Sequence, residues 1–215
     1  MESPLCPPAD PGFRLIETLG WHPDEGPRRG ALHLARMGRS AATLEMPFDR
    51  AQAQSLLTGI TSPTPLRCRL TLDATGTLAL ETAPLLPNPP RWQVAIHPGR
   101  LAPHDPWLRH KSTRRALYDS ARAALPKGVD EWLFLNTAGA LCEGTITNVF
   151  VDTGAGLLTP PLAAGLLPGI LRAEMLAAGQ AREVNLTPED LHQARAIYCG
   201  NSLRGLIRAT LVASA

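Results

Sequence analysis

The sequence predicts an α+β protein (mixed α/β) of two lobes. Segments rich in β-branched and alternating apolar residues, typical of strands, are interspersed with segments whose apolar residues recur every three or four positions, typical of helices. A proline-rich stretch over 84–90, PLLPNPP, interrupts this pattern. Because proline lacks an amide donor and fixes φ, the stretch can form neither a helix nor a central strand. We therefore predict a small N-terminal α/β lobe over 1–86, a linker over 87–91 and a larger C-terminal lobe over 92–215.

The N-terminal lobe is expected to contain a strand, two helices and a hairpin. In the first helix Leu34, Met37, Ala41 and Leu44 follow one another at spacings of three or four, which places them on one face. The elements are predicted, in chain order, as a strand at 13–19, helices at 32–44 and 48–57, and a hairpin that pairs 66–72 with 77–81.

The C-terminal lobe is expected to be richer in strands. Its clearest signals are two helix starts: Pro168-Gly169 begins one helix, and Thr187 is a suitable N-cap before Pro188 and two acids. The predicted elements are strands at 93–97 and 132–136, a helix at 113–125, a hairpin within 140–152, helices from 168 to 178 and from 187, and closing strands at 196–199 and 203–209.

The composition argues against several classes of partner. Apolar residues make up 44% of the 215, as in ordinary globular proteins, and the formal net charge is only +2 with acids and bases evenly mixed. We therefore expect neither a nucleic acid nor a membrane surface as a partner. No window approaches the roughly 18 apolar residues that span a bilayer. Residues 1–12 contain four prolines and do not resemble a signal peptide, so a cytoplasmic location is expected.

Several common sequence motifs are absent. The four cysteines are far apart and fit no CxxC spacing, so reduced thiols are expected and no metal site is predicted. The six histidines form no HExxH, and neither GxSxG nor GxxxxGK[ST] occurs. Any chemistry must therefore be carried by less specific patterns.

Three segments contain residues suited to a recognition site. In 110–115, HKSTRR, a lysine lies between a loop and a helix, although such lysines are usually only solvated. In 143–150, EGTITNVF, an acid and a glycine precede a β-branched strand, which is also how the rim of a hairpin is built. In 159–172, Pro168-Gly169 begins a helix whose free backbone amides would attract a phosphate. Singly, each pattern has an ordinary structural explanation.

Taken together and in this order, the three segments resemble the class IV aminotransferase family, the pyridoxal 5'-phosphate (PLP) enzymes of fold type IV. Two more segments agree with it: 33–36, HLAR, which is followed by Ser40-Ala41, and the loop 200–205, GNSLRG. The family includes branched-chain and D-amino-acid aminotransferases and 4-amino-4-deoxychorismate lyase. The resemblance implies a PLP cofactor, a small-molecule substrate, a homodimer, and a C-terminal cofactor-binding lobe with a barrel-like sheet.

The resemblance assigns the catalytic roles to Lys111 and Glu143. Lys111 would hold PLP as a Schiff base and then move the α-proton of the substrate. A lysine amine has a pKa of roughly 10.4 in water, and desolvation lowers that pKa so that the amine can attack. Glu143 would keep the pyridine nitrogen protonated, so that the ring can withdraw electrons.

The resemblance also implies how the rest of the cofactor is bound. A phosphate needs a forked cation and backbone donors. The implied cofactor-binding residues are Arg36, Lys111, Glu143, Asn148, Ile170 and Leu171 through their amides, Asn201 and Ser202.

Two features favour a 4-amino-4-deoxychorismate lyase, which gives 4-aminobenzoate and pyruvate. Thr18 stands where branched-chain aminotransferases usually have glycine, and the loop 201–205, NSLRG, is similar to the lyase form. Arg115, four residues after the lysine, is also similar to the lyases, and Arg100 aligns with an arginine of the family. We take Thr18, Arg100 and Arg115 as the candidate substrate residues.

An aminotransferase of the branched-chain or D-amino-acid type is the alternative. A non-catalytic protein with the same fold is less favoured, because Lys111, Glu143 and Arg36 are all present. The sequence departs from the family in two ways. It starts without an N-terminal strand that many members carry, so a partner subunit is expected to help close the pocket. Where aminotransferases have a tyrosine five residues after the lysine, this chain has Ala116, with Tyr118 two positions further.

Overall fold

The computed structural model describes residues 10–154 and 156–213. The chain divides into two compact units, Met1–Pro87 with His110–Arg114, and Asn88–Arg109 with Arg115–Ala215. The segment that contains Lys111 thus belongs to the first unit, although it follows the predicted linker in the sequence. The prediction about a signal peptide concerns mainly residues 1–9, which lie outside the described residues.

The first unit is an antiparallel four-stranded sheet with two helices packed on it. Its elements are β1 (Arg14–His22), β2 (Gly26–Pro27), α1 (Gly30–Thr43), α2 (Arg50–Thr58), β3 (Leu66–Asp73) and β4 (Leu78–Pro84). The strand order is β2-β1-β3-β4, and α1 packs on β1. β1 and β3 pair along nearly their whole length, from Arg14 opposite Asp73 to Trp21 opposite Leu66. β1 is therefore an inner strand of this sheet.

Helix α1 buries polar as well as apolar side chains. The predicted apolar stripe, Leu34, Met37 and Ala41, is buried. His33 and Arg36 of the same helix are also buried. Because a buried polar or charged side chain is costly without a partner in the protein, α1 must pack against a strand that supplies one. That strand is β1.

The second unit is a sheet of eight strands, six of which close into a barrel. Its elements are β5 (Trp92–Leu101), α3 (Ala116–Ala123), β6 (Glu131–Asn136), β7 (Leu141–Gly144), β8 (Asn148–Asp152), β9 (Leu157–Thr159), α4 (Ile170–Ala177), β10 (Ala181–Glu183), α5 (Pro188–His192), β11 (Ala196–Asn201) and β12 (Gly205–Leu211), with short 3-10 helices at Pro106–Arg109 and Leu162–Ala164. The barrel order is β8-β11-β12-β5-β6-β7, and it closes because β7 pairs with β8. β9 and β10 extend the sheet beyond β8.

The barrel strands β6 and β8 are buried along nearly their whole length. In β6, Trp132, Leu133, Phe134 and Leu135 follow one another without a polar residue, as in strands covered on both faces. These side chains divide between two apolar clusters: Leu133 and Leu135 belong to one, and Trp132 and Phe134 to the other. The barrel wall therefore rests on packing from both sides.

The predicted α+β class and barrel-like sheet are confirmed. The predicted start of the helix after Lys111 is wrong: α3 begins at Ala116 rather than at Thr113. The cause is a long-range pairing, since the Thr113 amide donates to the Arg14 carbonyl at 2.9 Å and keeps this residue alongside β1.

The last strand also begins later than predicted, at Gly205 rather than Leu203. The amides of Leu203 and Arg204 both donate to the side-chain oxygen of Asn201, which holds the chain in a turn before β12 starts. The three-residue strands β9 and β10 were not predicted. In the described part of the chain, no helix is long and apolar enough to cross a membrane.

Candidate active site

The backbone around Lys111 is paired with β1 in the first unit. The Ile16 amide donates to the Lys111 carbonyl at 2.8 Å. Ser112 forms an antiparallel bridge with Leu15, and the Arg14 amide donates to the Thr113 side-chain oxygen at 2.9 Å. The lysine segment thus behaves as a short additional strand on β1, and the main chain from which the Lys111 side chain extends is fixed.

The residue before the lysine ties the same segment to α1. His110 Nδ1 lies 3.0 Å from the hydroxyl of Ser40, a buried residue of α1. Burial lowers the pKa of His110, which favours the neutral ring at neutral pH. The Lys111 side chain itself is half-buried. A half-buried lysine on a fixed backbone is suited to a covalent role.

Arg36, the predicted phosphate ligand, is paired with Glu17 of β1. The guanidinium donates in a bidentate manner, from Nε to Oε1 at 2.9 Å and from Nη2 to Oε2 at 2.6 Å. His33, one turn earlier on α1, places Nδ1 2.6 Å from Glu17 Oε2. All three side chains are buried. The orientation of the guanidinium is therefore set by Glu17, which the sequence did not identify as a site residue.

Glu17 provides the negative charge in the buried triad of Glu17, His33 and Arg36 (the Glu17 triad). Burial alone would raise the pKa of its carboxyl, but the charge of Arg36 and the hydrogen bonds with His33 and Arg36 outweigh burial and lower the pKa to about 2. Glu17 is thus ionised at neutral pH and balances the charge of Arg36. The only hint in the sequence is a glutamate within an otherwise buried strand.

Thr18, a candidate substrate residue, faces away from the triad. Successive residues of a strand point to opposite faces, so the Thr18 side chain lies on the face of the sheet opposite Glu17. It is half-buried between neighbours that are buried. Its proposed role toward a substrate stays a prediction.

Two candidate residues of the second unit, Glu143 and Asn148, contact the loop before α4. Glu143, 6% exposed, accepts a hydrogen bond from the Tyr118 hydroxyl to Oε1 at 2.7 Å and one from the Leu167 amide to Oε2 at 3.0 Å. Burial and the negative charge of Glu143 raise the pKa of Tyr118, so the phenol stays protonated and donates. Tyr118 was noted in the sequence but given no role, because the family's tyrosine lies at another position.

Asn148 stands directly opposite Glu143 in the β7–β8 pairing and contacts the same loop. Its side-chain nitrogen donates to the Leu167 carbonyl at 3.1 Å. A Cβ at Gly169 would overlap the Asn148 side-chain oxygen, so a larger residue there would displace the Asn148 side chain. Gly169 is the N-cap of α4 and provides no side-chain cap. The amides of Ile170 and Leu171 therefore begin a helix without a side-chain cap, and such amides are suited to binding a phosphate.

The side chain of Asn201 holds together the loop 201–205 and the turn before β8. Its nitrogen donates to the Ile146 carbonyl at 3.1 Å, and its oxygen accepts the amides of Leu203 and Arg204. Both ends of this amide are thus used within the protein, and the direct phosphate contact predicted for Asn201 stays a prediction. Ser202, next in the loop, is buried.

The two candidate substrate arginines are held locally. Arg115 donates to Asp119 at 2.7 Å and to the Thr145 carbonyl at 3.2 Å, and its guanidinium lies 5.8 Å from the centre of the Tyr118 ring. Arg100 is exposed and donates to three carbonyls of its own strand β5, those of residues 97, 98 and 99. Their roles toward a substrate stay predictions.

These residues supply the groups that PLP requires: a lysine amine, a buried carboxylate, and an uncapped helix start. Residues 14–212 match the amino-transferase class IV family. The chain belongs to this family. Its members are PLP-dependent enzymes, and this chain is therefore a PLP-dependent enzyme of the aminotransferase class IV family.

Relatives carry the names of two reactions. A Schizosaccharomyces pombe protein provisionally named an aminodeoxychorismate lyase is 27% identical over 191 residues, which are 84% of this chain and 82% of that protein. A Mesorhizobium loti structure provisionally named an amino-acid aminotransferase is 43% identical, with a TM-score of 0.88 over 93% of this chain and all of that chain. The 4-amino-4-deoxychorismate lyase structure from Pseudomonas aeruginosa is 21% identical, with a TM-score of 0.78 over 93% of this chain and 83% of that one. The last match bears on the fold alone.

The Glu17 triad predicts a specific acid sensitivity. A carboxyl whose pKa falls from 4.5 to about 2 on folding adds stability that is full above pH 4.5 and is lost as the pH falls toward 2. The contribution is about 3 kcal/mol. Glu17→Gln should lower the free energy of unfolding at pH 7 and flatten its decline below pH 4.5, as measured by urea denaturation at several pH values.

The control is Glu25→Gln, whose carboxylate pairs with Arg28 at the surface. Surface pairs contribute little, so this variant should retain the pH dependence of the parent protein. If Glu17→Gln also retained that dependence, the ionised buried triad would be contradicted.

Proposed function

We propose that this chain is a 4-amino-4-deoxychorismate lyase, which converts its substrate to 4-aminobenzoate and pyruvate. The observation that carries the proposal is the loop 201–205, NSLRG, which resembles the lyase form and is locked by the Asn201 side chain. Thr18 supports it as a hydroxyl in a position where branched-chain aminotransferases usually have glycine. The similarity to the S. pombe protein points the same way.

Lys111 is proposed to hold the cofactor covalently and to move protons on the substrate. The pairing of its backbone with β1 supports this role, because the amine then moves only through its side-chain torsions. PLP, when bound, withdraws electrons from the substrate through its pyridinium ring. Glu143 is proposed to hold the proton of the ring nitrogen. A donor on each carboxylate oxygen, Tyr118 and Leu167, favours the ionised form that this task needs.

The phosphate is proposed to bind the amides of Ile170 and Leu171, with Arg36 and Ser202. The uncapped start of α4 supports the first two contacts, since such amides and the helix dipole attract an anion. Arg36 would add a guanidinium whose direction is fixed by Glu17. Asn148, which packs against Gly169, would keep this helix start in place.

The lyase reaction places particular demands on this chain. Lys111 would remove the ring proton whose loss makes the product aromatic, and pyruvate would leave without any amino acceptor. The substrate carries carboxylates, so Arg115 and Arg100 are proposed as their partners. The two-fold dimer in which a neighbouring subunit completes the pocket stays a prediction.

An aminotransferase is the second candidate. The observation that favours it is the 43% identity to the M. loti protein, over nearly the whole of both chains. The roles of Lys111 and Glu143 would be the same, and only the fate of the substrate would differ. The choice between the two reactions therefore requires product analysis.

The first test of the proposal is the point of cofactor attachment. Borohydride reduction of the PLP-loaded enzyme should place the whole cofactor label on the peptide that contains Lys111, as measured by mass spectrometry. Lys127 is the only other lysine and serves as an internal control. A label on Lys127 would contradict the proposed role of Lys111.

A second test addresses Glu143. Glu143→Gln should retain cofactor on Lys111 but reduce turnover by roughly a hundredfold or more, because an amide cannot keep the ring nitrogen protonated. Turnover and the amount of bound PLP should be measured on the same samples. The matched control is Glu189→Gln, an exposed glutamate of α5, which should behave as the parent enzyme. Near-normal turnover in Glu143→Gln would exclude the proposed role.

The third test decides between the two reactions. Given 4-amino-4-deoxychorismate without any 2-oxo acid, the enzyme should release 4-aminobenzoate and pyruvate in equal amounts, measured by chromatography and a coupled pyruvate assay. Lys111→Ala should release neither. If amino acids with 2-oxoglutarate exchange amino groups and aminodeoxychorismate does not react, the chain is an aminotransferase instead.

A further inference from the structure

Glu131, the first residue of β6, is a carboxylate with no exposed surface. No sequence pattern marks Glu131 as a site residue, and the roles proposed above do not use it. It accepts hydrogen bonds from the turn 144–147, from the next residue of β6 and from Arg122 of α3. The donors are the amides of Trp132 (3.0 Å), Thr145 (3.0 Å) and Ile146 (3.2 Å), the hydroxyls of Thr145 and Thr147 (the latter at 3.3 Å), and the guanidinium of Arg122 (3.5 Å).

Most of these donors belong to the turn 144–147, which separates the two cofactor-facing candidates Glu143 and Asn148. The turn is closed by the Gly144 amide, which donates to the Thr147 carbonyl at 2.7 Å. A Cβ at Gly144 would overlap the Thr147 hydroxyl and would lie 3.0 Å from Cγ and Cδ of Glu131. The turn therefore packs directly against the Glu131 side chain, and a side chain at position 144 would displace Thr147 or Glu131.

Two carbonyls of the same turn accept hydrogen bonds from other side chains. Arg115 donates to the Thr145 carbonyl at 3.2 Å, and Asn201 donates to the Ile146 carbonyl at 3.1 Å. Arg122 also donates to the Thr145 hydroxyl at 2.9 Å. Glu131 thus accepts hydrogen bonds from two amides and two hydroxyls of the turn. Two other side chains, Arg115 and Asn201, donate to two carbonyls of the turn. A network satisfied on every side keeps one conformation.

We propose that Glu131 is a positioning residue that fixes the turn 144–147 and, through it, the spacing and direction of Glu143 and Asn148. The proposal rests on the function proposed above, because that function gives the two residues their roles toward the cofactor. Its physical basis is that both side-chain oxygens of Glu131 accept hydrogen bonds from the turn. Burial raises the pKa of this carboxyl, while the hydrogen bonds with Thr145 and Ile146 and the charge of Arg122 act in the opposite direction. The site would then be formed before the cofactor binds.

The test is Glu131→Gln, which keeps the size of the side chain and replaces one acceptor oxygen by an NH2 group. If that group takes the place of Oε1 it faces the amides of Trp132 and Thr145, and in the place of Oε2 it faces the amide of Ile146. Either orientation therefore sets a donor against a backbone donor. The neighbouring Asp130→Asn is the control, since this exposed carboxylate accepts a hydrogen bond from the Gln93 amide and lies outside the turn.

Three measurements are made on the parent enzyme and both variants. Hydrogen exchange of the Thr145 and Ile146 amides should become at least roughly tenfold faster in Glu131→Gln, because the turn opens more often. The PLP dissociation constant should rise by roughly tenfold, which corresponds to a loss of about 1.4 kcal/mol in binding free energy. The pH at which the visible band of the lysine-bound cofactor changes should shift, which a purely structural role would not produce. Asp130→Asn should match the parent in all three.

The outcomes separate this proposal from the proposed function. Unchanged exchange in the turn, or an unshifted band in a variant with faster exchange, would overturn the role of Glu131. If the parent enzyme bound no PLP, the proposed function would be contradicted. The exchange data would still show whether Glu131 holds the turn. If Glu131→Gln did not fold, Thr145→Val, which removes one hydroxyl donor, should show the same changes in smaller measure, and no change there would contradict the proposal.

Discussion

A carboxylate that is removed from water must be matched by positive charge or by hydrogen-bond donors, and this constraint orders the functional segments of the chain. Glu17, Glu131 and Glu143 are the buried carboxylates among the described residues. Glu17 holds the cation of α1, Glu131 holds the turn 144–147, and Glu143 holds Tyr118 and the loop before α4. Because each carboxylate would be left uncompensated if its donors moved, the segments that supply the donors are kept in place.

The lysine segment is ordered by a different force, the pairing of its backbone with β1. Residues 14–16 of β1 pair with β3 on one side and with the lysine segment on the other. The next residue of the same strand is Glu17, which reaches α1 from the face of the sheet. One strand thus sets the position of Lys111 through its edge and the direction of Arg36 through its face. A change in β1 would disturb both at once.

Local signals in the sequence predicted much of this arrangement. The start of α4 at Pro168-Gly169 and the cap of α5 at Thr187 follow from the few residues around them, and the structure adds the reciprocal bond between Thr187 and Asp190. The order of five motifs was enough to identify the family and its cofactor. Local patterns thus predict which helix or strand forms and which type of residue stands at a site.

The partners of the site residues could not be predicted, because they are distant in the sequence. Tyr118 and Glu143 are 25 residues apart, and Glu131 lies 14 residues before Thr145. A glutamate before Trp132 has the pattern of an ordinary polar strand end, and nothing local shows that it is fully buried. The same applies to Thr113. The helical pattern predicted it in α3, but a hydrogen bond to the distant strand β1 keeps it outside the helix.

The contrast between Arg36 and Arg115 suggests where substrate choice can lie. Arg36 is bound to a buried carboxylate, and exchanging that partner for a ligand would leave Glu17 uncompensated in the interior. Arg115 is bound to Asp119, which is largely exposed, and such pairs contribute little. We therefore expect that a substrate carboxylate can displace Asp119 from Arg115 at a small cost in free energy, because water can hydrate the released Asp119 side chain. Arg36 is therefore held by a buried partner, whereas the pairing of Arg115 with Asp119 contributes little to keeping Arg115 in place.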